Sequence, residues 1–147
     1  MNKPKYLYKT EEEFTIYEFV SEGSKGRIPK MVEYTETATT GVYNLAFGDY
    51  DEITKTINDL SVTNNGDSLK VLATVASTVY AFLDKHPNAY IVATGSTNVR
   101  TRLYRMGITN NLAEIKEDFI VYGLSDKGTW DEFEIGEDYE AFLITKK

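Results

Sequence analysis

Between Leu69 and Leu83 the chain carries apolar side chains on both sides of a helix. Leu69, Leu72, Ala73, Ala76, Val79, Tyr80 and Leu83 recur at the i, i+3, i+4, i+7 spacing of one helical face, and Val71, Val75 and Phe82 make the opposite face apolar as well. A helix of that kind cannot rest on a surface with one side in water, so it must lie deep, packed against a sheet and a neighbouring helix. Its start is marked by Asn64-Asn65-Gly66-Asp67-Ser68, a turn followed by an N-cap, and its end by Asp84-Lys85-His86-Pro87-Asn88. The rest of the chain has to supply the wrapping.

Most of that wrapping reads as strand. Phe14 to Val20 alternates as a half-buried strand. Arg27 to Glu36 is a second one, with Pro29 placing it at an edge or near its beginning, and Val42 to Phe47 a third, broken by Gly48-Asp49-Tyr50-Asp51. Tyr6-Leu7-Tyr8 has the composition of a short edge strand within a first dozen residues that read as loosely held, and Glu11-Glu12-Glu13 reads as a solvated run. Ile53 to Val62 fits either a helix or a short strand, the strand being preferred. Beyond the long helix come Tyr90 to Ala93 as a strand, a helix from Asn98 that Gly107 ends, and a further short helical turn at Asn111-Leu-Ala-Glu114. Phe119 to Tyr122, Thr129 to Phe133 and Tyr139 to Thr145 are the closing strands, with Ser125-Asp126-Lys127-Gly128 as a hairpin turn. The class expected is α+β: one domain over residues 1–147, with a mixed, mainly antiparallel sheet, one long buried helix and one short helix.

Composition removes several functions. With no cysteine there is no disulfide, thiolate metal site or cysteine nucleophile, and His86 is the single histidine, placed at a helix end, so no metal site is expected. No apolar run approaches the ~20 residues that span a bilayer, and the first residues lack a signal peptide's apolar core, so a cytoplasmic protein with no membrane partner is expected. A net charge of −7 argues against sequence-blind attraction to nucleic acid and leaves room only for a local RNA contact. Eleven tyrosines supply rings for sheet faces, or for a surface that binds another protein.

Against that acidic background the stretch from Tyr90 to Ile108 stands out. A strand runs into Gly95, Ser96 and Thr97, and a helix that starts there points unpaired N–H groups and the positive end of its dipole at the strand's end. Arg100, Arg102 and Arg105 add fixed positive charge, Arg102 and Arg105 on one face and Arg100 on another. Together with the start of the long helix at Asn65, Gly66 and Ser68, these residues are the candidate binders of a phosphate-bearing anion. A nucleotidyltransferase reading of Gly95-Ser96 fails for want of a downstream Asp-x-Asp. Gly23-Ser-Lys-Gly-Arg27 is too short for a P-loop.

Over residues 57–123 the order of elements, strand, glycine turn, long helix, strand and shorter helix, resembles the conserved part of GNAT-type N-acyltransferases. The resemblance implies that Thr63-Asn64-Asn65-Gly66-Asp67-Ser68 holds the pyrophosphate of an acyl-CoA cofactor. That stretch departs at both ends from the family's Gln/Arg-x-x-Gly-x-Gly/Ala pattern. Leu103-Tyr104 followed by Gly107-Ile108 is similar to the family's shorter helix, which implies Tyr104 as the acid that protonates a departing thiolate; Tyr104 packing onto the sheet beside Leu103 and Ile108 is the other reading. Over nearly its whole length the chain also resembles a set of small bacterial proteins that share Gly-Ser-Thr-x-x-Arg-Thr-Arg-Leu-Tyr (Gly95 to Tyr104), Asn-Leu-Ala-Phe-Gly-Asp (Asn44 to Asp49) and Asn-Gly-Asp (Asn65 to Asp67), a likeness that implies no reaction. Two functions follow: a domain that binds acyl-CoA or a nucleotide at the helix starts, as a divergent N-acyltransferase would, or a non-enzymatic interaction domain such as a toxin–antitoxin or regulatory partner.

Overall fold

The computed structural model describes residues 4–58, 65–94 and 98–147. Their strands are β1 (Lys9–Thr10), β2 (Ile16–Gly23), β3 (Gly26–Glu36), β4 (Val42–Asp51), β5 (Thr56–Asn58), β6 (Tyr90–Ala93), β7 (Phe119–Leu124), β8 (Trp130–Glu132) and β9 (Ala141–Lys146), and their helices α1 (Ser68–Lys85) and α2 (Asn98–Asp118). All nine strands form one sheet in the order β1-β2-β3-β4-β6-β9-β7-β8, with β5 paired to β4. Every pairing is antiparallel except β4 with β6, so the architecture is α+β with a mixed, mainly antiparallel sheet.

The period of two sorts each strand into a buried and a half-exposed face. Tyr17 and Phe19 of β2, Val32 and Tyr34 of β3, Leu45 and Phe47 of β4, and Phe142 and Ile144 of β9 point one way and are buried. Both helices lie over that face. Between them and Leu45, Ala93 and Ile144 remains a void of only about 40 Å³. α1 is buried along most of its length, from Val71 to Leu83, as its two apolar faces require.

Several boundaries differ from the sequence reading. The second helix is not short: α2 has 21 residues against 18 in α1 and runs unbroken through Gly107 and Asn111. Gly107 ends nothing, because its function is close approach; a Cβ there would lie 3.3 Å from Leu72 Cδ2 of α1. Asn111 returns its side-chain amide to the carbonyl of Gly107 at 2.7 Å instead of capping a new turn. β4 continues through Gly48 to Asp51, since β5 pairs with its last residues. Of the ambiguous stretch, Thr56–Asn58 is strand, and residues 59–62 lie outside those described. Pro29 sits opposite Val20 just before β3 begins pairing with β4 at Lys30, where its missing N–H disturbs no ladder.

Within the first dozen residues, expected to be loose, Tyr6 and Tyr8 are held against the fold. Tyr6 is not in a strand; its backbone N–H donates to Thr74 Oγ1 on α1 and its ring stacks on Phe19, while Tyr8 packs edge-on against Tyr17. The last strand begins at Ala141 instead of Tyr139, whose ring fills the space above Gly123. Among the described residues no helix is long and apolar enough to cross a membrane.

Candidate functional site

The start of α1 is where the sequence placed a ligand, and its geometry is unusual. Asp67 occupies the N-cap, yet its carboxylate makes no capping bond to the helix. Its Oδ2 instead accepts from the Tyr6 hydroxyl and from Ser21 Oγ, each at 2.5 Å. The first N–H that meets a helical carbonyl is that of Val71, which donates to Asp67. The amides of Ser68, Leu69 and Lys70 precede that bond and have no carbonyl within the helix to meet. The Asp67 side chain therefore does not cap the positive end of the α1 dipole.

Asn65 holds this turn in place. Its Oδ1 accepts from the Lys25 N–H at 2.6 Å, and its Nδ2 donates to Ser21 Oγ at 3.1 Å and to the Gly26 carbonyl at 2.8 Å. The Ser24 N–H donates to its carbonyl. Asn65 is thus a clasp between the β2–β3 hairpin and the helix start, its side chain fully committed to the fold. Gly66 follows in the left-handed region at φ 79°, which glycine adopts without steric cost. Ser68 is exposed.

Two contiguous hollows open around this turn, sharing Asp67 and Ser68. The larger, about 690 Å³, is bounded by Pro4, Gly66 to Lys70, and Asn110 and Asn111 of α2. Lys70 stands on its border with Nζ 4.1 Å above the Tyr6 ring, a cation–π contact that fixes the ammonium near the helix start. Asn111, only 2% exposed, has an Oδ1 that meets no donor. The smaller hollow, about 240 Å³, has apolar walls from Val71, Leu72, Val99, Leu103 and Met106. Phe47 and Lys30 lie beneath it. Lys30 is 1% exposed and its Nζ meets Asp49 Oδ1 at 2.5 Å, across the β3–β4 ladder where the two residues are partners. An ion pair this deep carries a desolvation penalty that its own attraction barely offsets.

The arginines divide as the helical wheel requires. Arg102 and Arg105 border a third, polar hollow of about 240 Å³ with Asn98, Thr101, Asp138 and Tyr139, and Arg105 is ion-paired to Asp138. Arg100 goes elsewhere. It is 4% exposed, its Nη1 donates to the Asn58 carbonyl at 3.4 Å, and the Cβ that Gly48 lacks would lie 3.3 Å from that nitrogen. Gly95, Ser96 and Thr97 lie outside the described residues. Tyr104 borders neither hollow at the α1 start; it is 6% exposed and faces the small apolar void between the helices and the sheet.

The residues brought together are therefore Gly66, Ser68 and the clasp Asn65, joined by Asp67, Lys70 and Lys30. Lys30 and Ser21 were given no part in the site by the sequence reading, and Tyr6 was read only as part of an edge strand. A signal for Lys30 does exist: in Lys30-Met31-Val32-Glu33-Tyr34 it occupies the phase of Val32 and Tyr34, the buried face of the strand. The chain matches, over residues 2–147, the family of unknown function DUF6934, and it belongs to that family. No curated protein and no solved structure matches it.

Proposed function

We propose that this DUF6934 protein binds a phosphate-bearing carrier of the acyl-CoA kind, with a phosphate at the start of α1 and the apolar end of the ligand in the hollow over Lys30. The observation that carries the reading is a helix start that its own N-cap residue, Asp67, does not cap. An aspartate stands at the capping position, two hydroxyls draw its carboxylate aside, and the first-turn residues Ser68, Leu69 and Lys70 border a hollow of about 690 Å³. Helix starts of this kind receive phosphate oxygens. The adjoining apolar-walled space suits an acyl or alkyl group, and the unmet Asn111 oxygen suits an amide or hydroxyl donor on the ligand.

The strand order supports the same reading. β4 and β6 run parallel side by side, and their pairing ends at Asn44 opposite Val92 while β4 continues to Asp51. β4 leads through the short β5 to α1, and β6 leads directly to α2; in open sheets ligands settle at the carboxyl ends of adjacent parallel strands. This is the strand–helix–strand–helix order for which the sequence resembles N-acyltransferases. The proposal is one of binding. Tyr104 is not given the acid's role, and Arg102 on its separate hollow is not given a phosphate contact.

The test is calorimetric titration with coenzyme A, acetyl-CoA, ATP and inorganic phosphate, on the wild type and on Ser68→Glu. A glutamate in the first turn of a helix complements the dipole, so the variant folds and melts no lower than the wild type. Placed between the two hollows, it repels a phosphate. Coenzyme A and acetyl-CoA are expected to bind the wild type, with affinity falling at least tenfold in Ser68→Glu. Absence of binding by all four ligands, or binding that Ser68→Glu leaves unchanged, removes the reading.

A further inference from the structure

Among the described residues Lys30 is the most deeply buried charged group, at 1% exposure against 4% for Arg100. It shares the helix-facing side of β3 with Val32 and Tyr34, and Asp49 meets it from the side of β4 that carries Leu45 and Phe47. A buried pair of this kind adds little stability that two apolar side chains would not supply. Yet the pair does not sit in solid packing. Lys30 borders the hollow of about 240 Å³ walled by Val71, Leu72, Val99, Leu103 and Met106, and that hollow meets the larger one at Asp67 and Ser68. A primary amine under apolar walls, with a carboxylate in hydrogen-bond contact, is an arrangement in which lysine serves as a nucleophile.

We infer that Lys30 is a covalent acyl acceptor, modified on Nζ by the thioester of an acyl-CoA. The inference rests on the acyl-CoA reading of the α1 start, which delivers the acyl end of the ligand to this hollow. In the step, Lys30 passes one proton to Asp49 across the bond that joins them. The freed amine adds to the thioester carbonyl. The C–N bond forms as the C–S bond breaks, and the departing thiolate takes the second proton from the nitrogen. Asp49 then releases its proton to water. The products are an amide on Lys30, free coenzyme A and one proton, so no further reactant is needed. Burial supports the transfer, because a neutral amine and a neutral acid need no hydration that a dry site cannot give, and because excluded water cannot hydrolyse the thioester.

Incubation of the wild-type protein with acetyl-CoA is the test. Thiol titration reads only released coenzyme A, because the chain has no cysteine. Mass spectrometry of the intact chain should show one acetyl group, and peptide mapping should place it on Lys30. In the folded protein Lys30 should be acetylated at least tenfold faster than any other lysine, and in protein unfolded by urea that lead should vanish. Asp49→Asn keeps a side chain of the same size opposite Lys30 and removes the proton acceptor. It should slow acetylation at least tenfold while calorimetric affinity for acetyl-CoA stays within about twofold. Should Asp49→Asn fail to fold, the comparison of folded and unfolded wild type decides alone. Acetyl groups spread over exposed lysines, or a rate unchanged in Asp49→Asn, overturn the inference. So does an unmodified Lys30 in protein that calorimetry shows to bind acetyl-CoA, an outcome that leaves the binding reading standing. Absence of binding removes both.

Discussion

Glu11 shows how much a single side chain does that its neighbours in sequence conceal. Within the run Glu11-Glu12-Glu13 it alone folds back on the chain: its carboxylate accepts the backbone N–H of Thr15 at 2.5 Å, the Thr15 hydroxyl at 2.8 Å, and the N–H groups of Glu13 and Ile16 at 3.1 Å each. This turn carries the chain into β2 through Phe14, a bulky residue held at φ 61°, so the carboxylate gathers donors around a strained step. The bonds, led by that from the Thr15 N–H, hold the carboxyl down at about 2. A folded-state value below the unfolded one, ~4.3, means that the ionised group stabilises the fold fully above the unfolded value, and that this contribution disappears as pH falls through about 2. Urea unfolding of wild type and Glu11→Gln should therefore differ at pH 7 and converge as pH is lowered from about 4 towards 2. A constant gap across that range would deny the carboxylate its part. Charge alone gave three equivalent glutamates; only the geometry of the turn picks one. Lys30 was hidden for a related reason, since what makes it matter is Asp49, its partner across a ladder that sequence order does not reveal.

At the scale of elements, α1 was legible because its apolar positions outnumber anything a surface helix carries, and its start at Ser68 was legible from the Asn-Gly-Asp-Ser turn. α2 was not. Gly107 stood where a helix-ending glycine stands, and Asn111 where a cap stands, but both are interior residues whose signals come from packing. The helices approach so closely that Gly107 borders Leu72 and the adjoining void of about 40 Å³. That closeness permits a stabilising change. Glycine in a helix interior costs about 0.5–1 kcal/mol relative to alanine, and a new Cβ at 3.3 Å presses only on the flexible end of Leu72, which has the void to move into. Gly107→Ala is expected to raise the thermal midpoint by about 2–4 °C. A fall on calorimetric scanning would mean that the helix pair has no slack at this contact.

The order of strands belongs to the whole molecule, and nothing local in the sequence encodes it. The meander β2 to β4 was readable as successive hairpins. The C-terminal half is not laid down in chain order, because β9, the last element, enters between β6 and β7 and pairs with both. Without it, β7 and β8 have no hydrogen-bonded route to the rest of the sheet. β9 also brings Phe142, fully buried, and Ile144, 4% exposed, into the core beneath the helices. Burying those two side chains contributes roughly 3–6 kcal/mol, comparable with the whole margin by which a domain of this size is stable. The meander, by contrast, meets the second half of the sheet, among the described residues, along the three paired residues of β4 and β6 and the Tyr90 N–H bond to the Gly41 carbonyl. Folding must therefore wait for β9, and a chain cut after Glu140 should lose cooperative unfolding altogether, with β2 to β4 keeping at most fluctuating structure. Adding residues 141–147 back as a peptide should restore a sharp thermal transition at saturating concentration, since only the sheet's middle is missing. A cut chain that still melts cooperatively near the wild-type midpoint would show that the helices, and not β9, join the two halves.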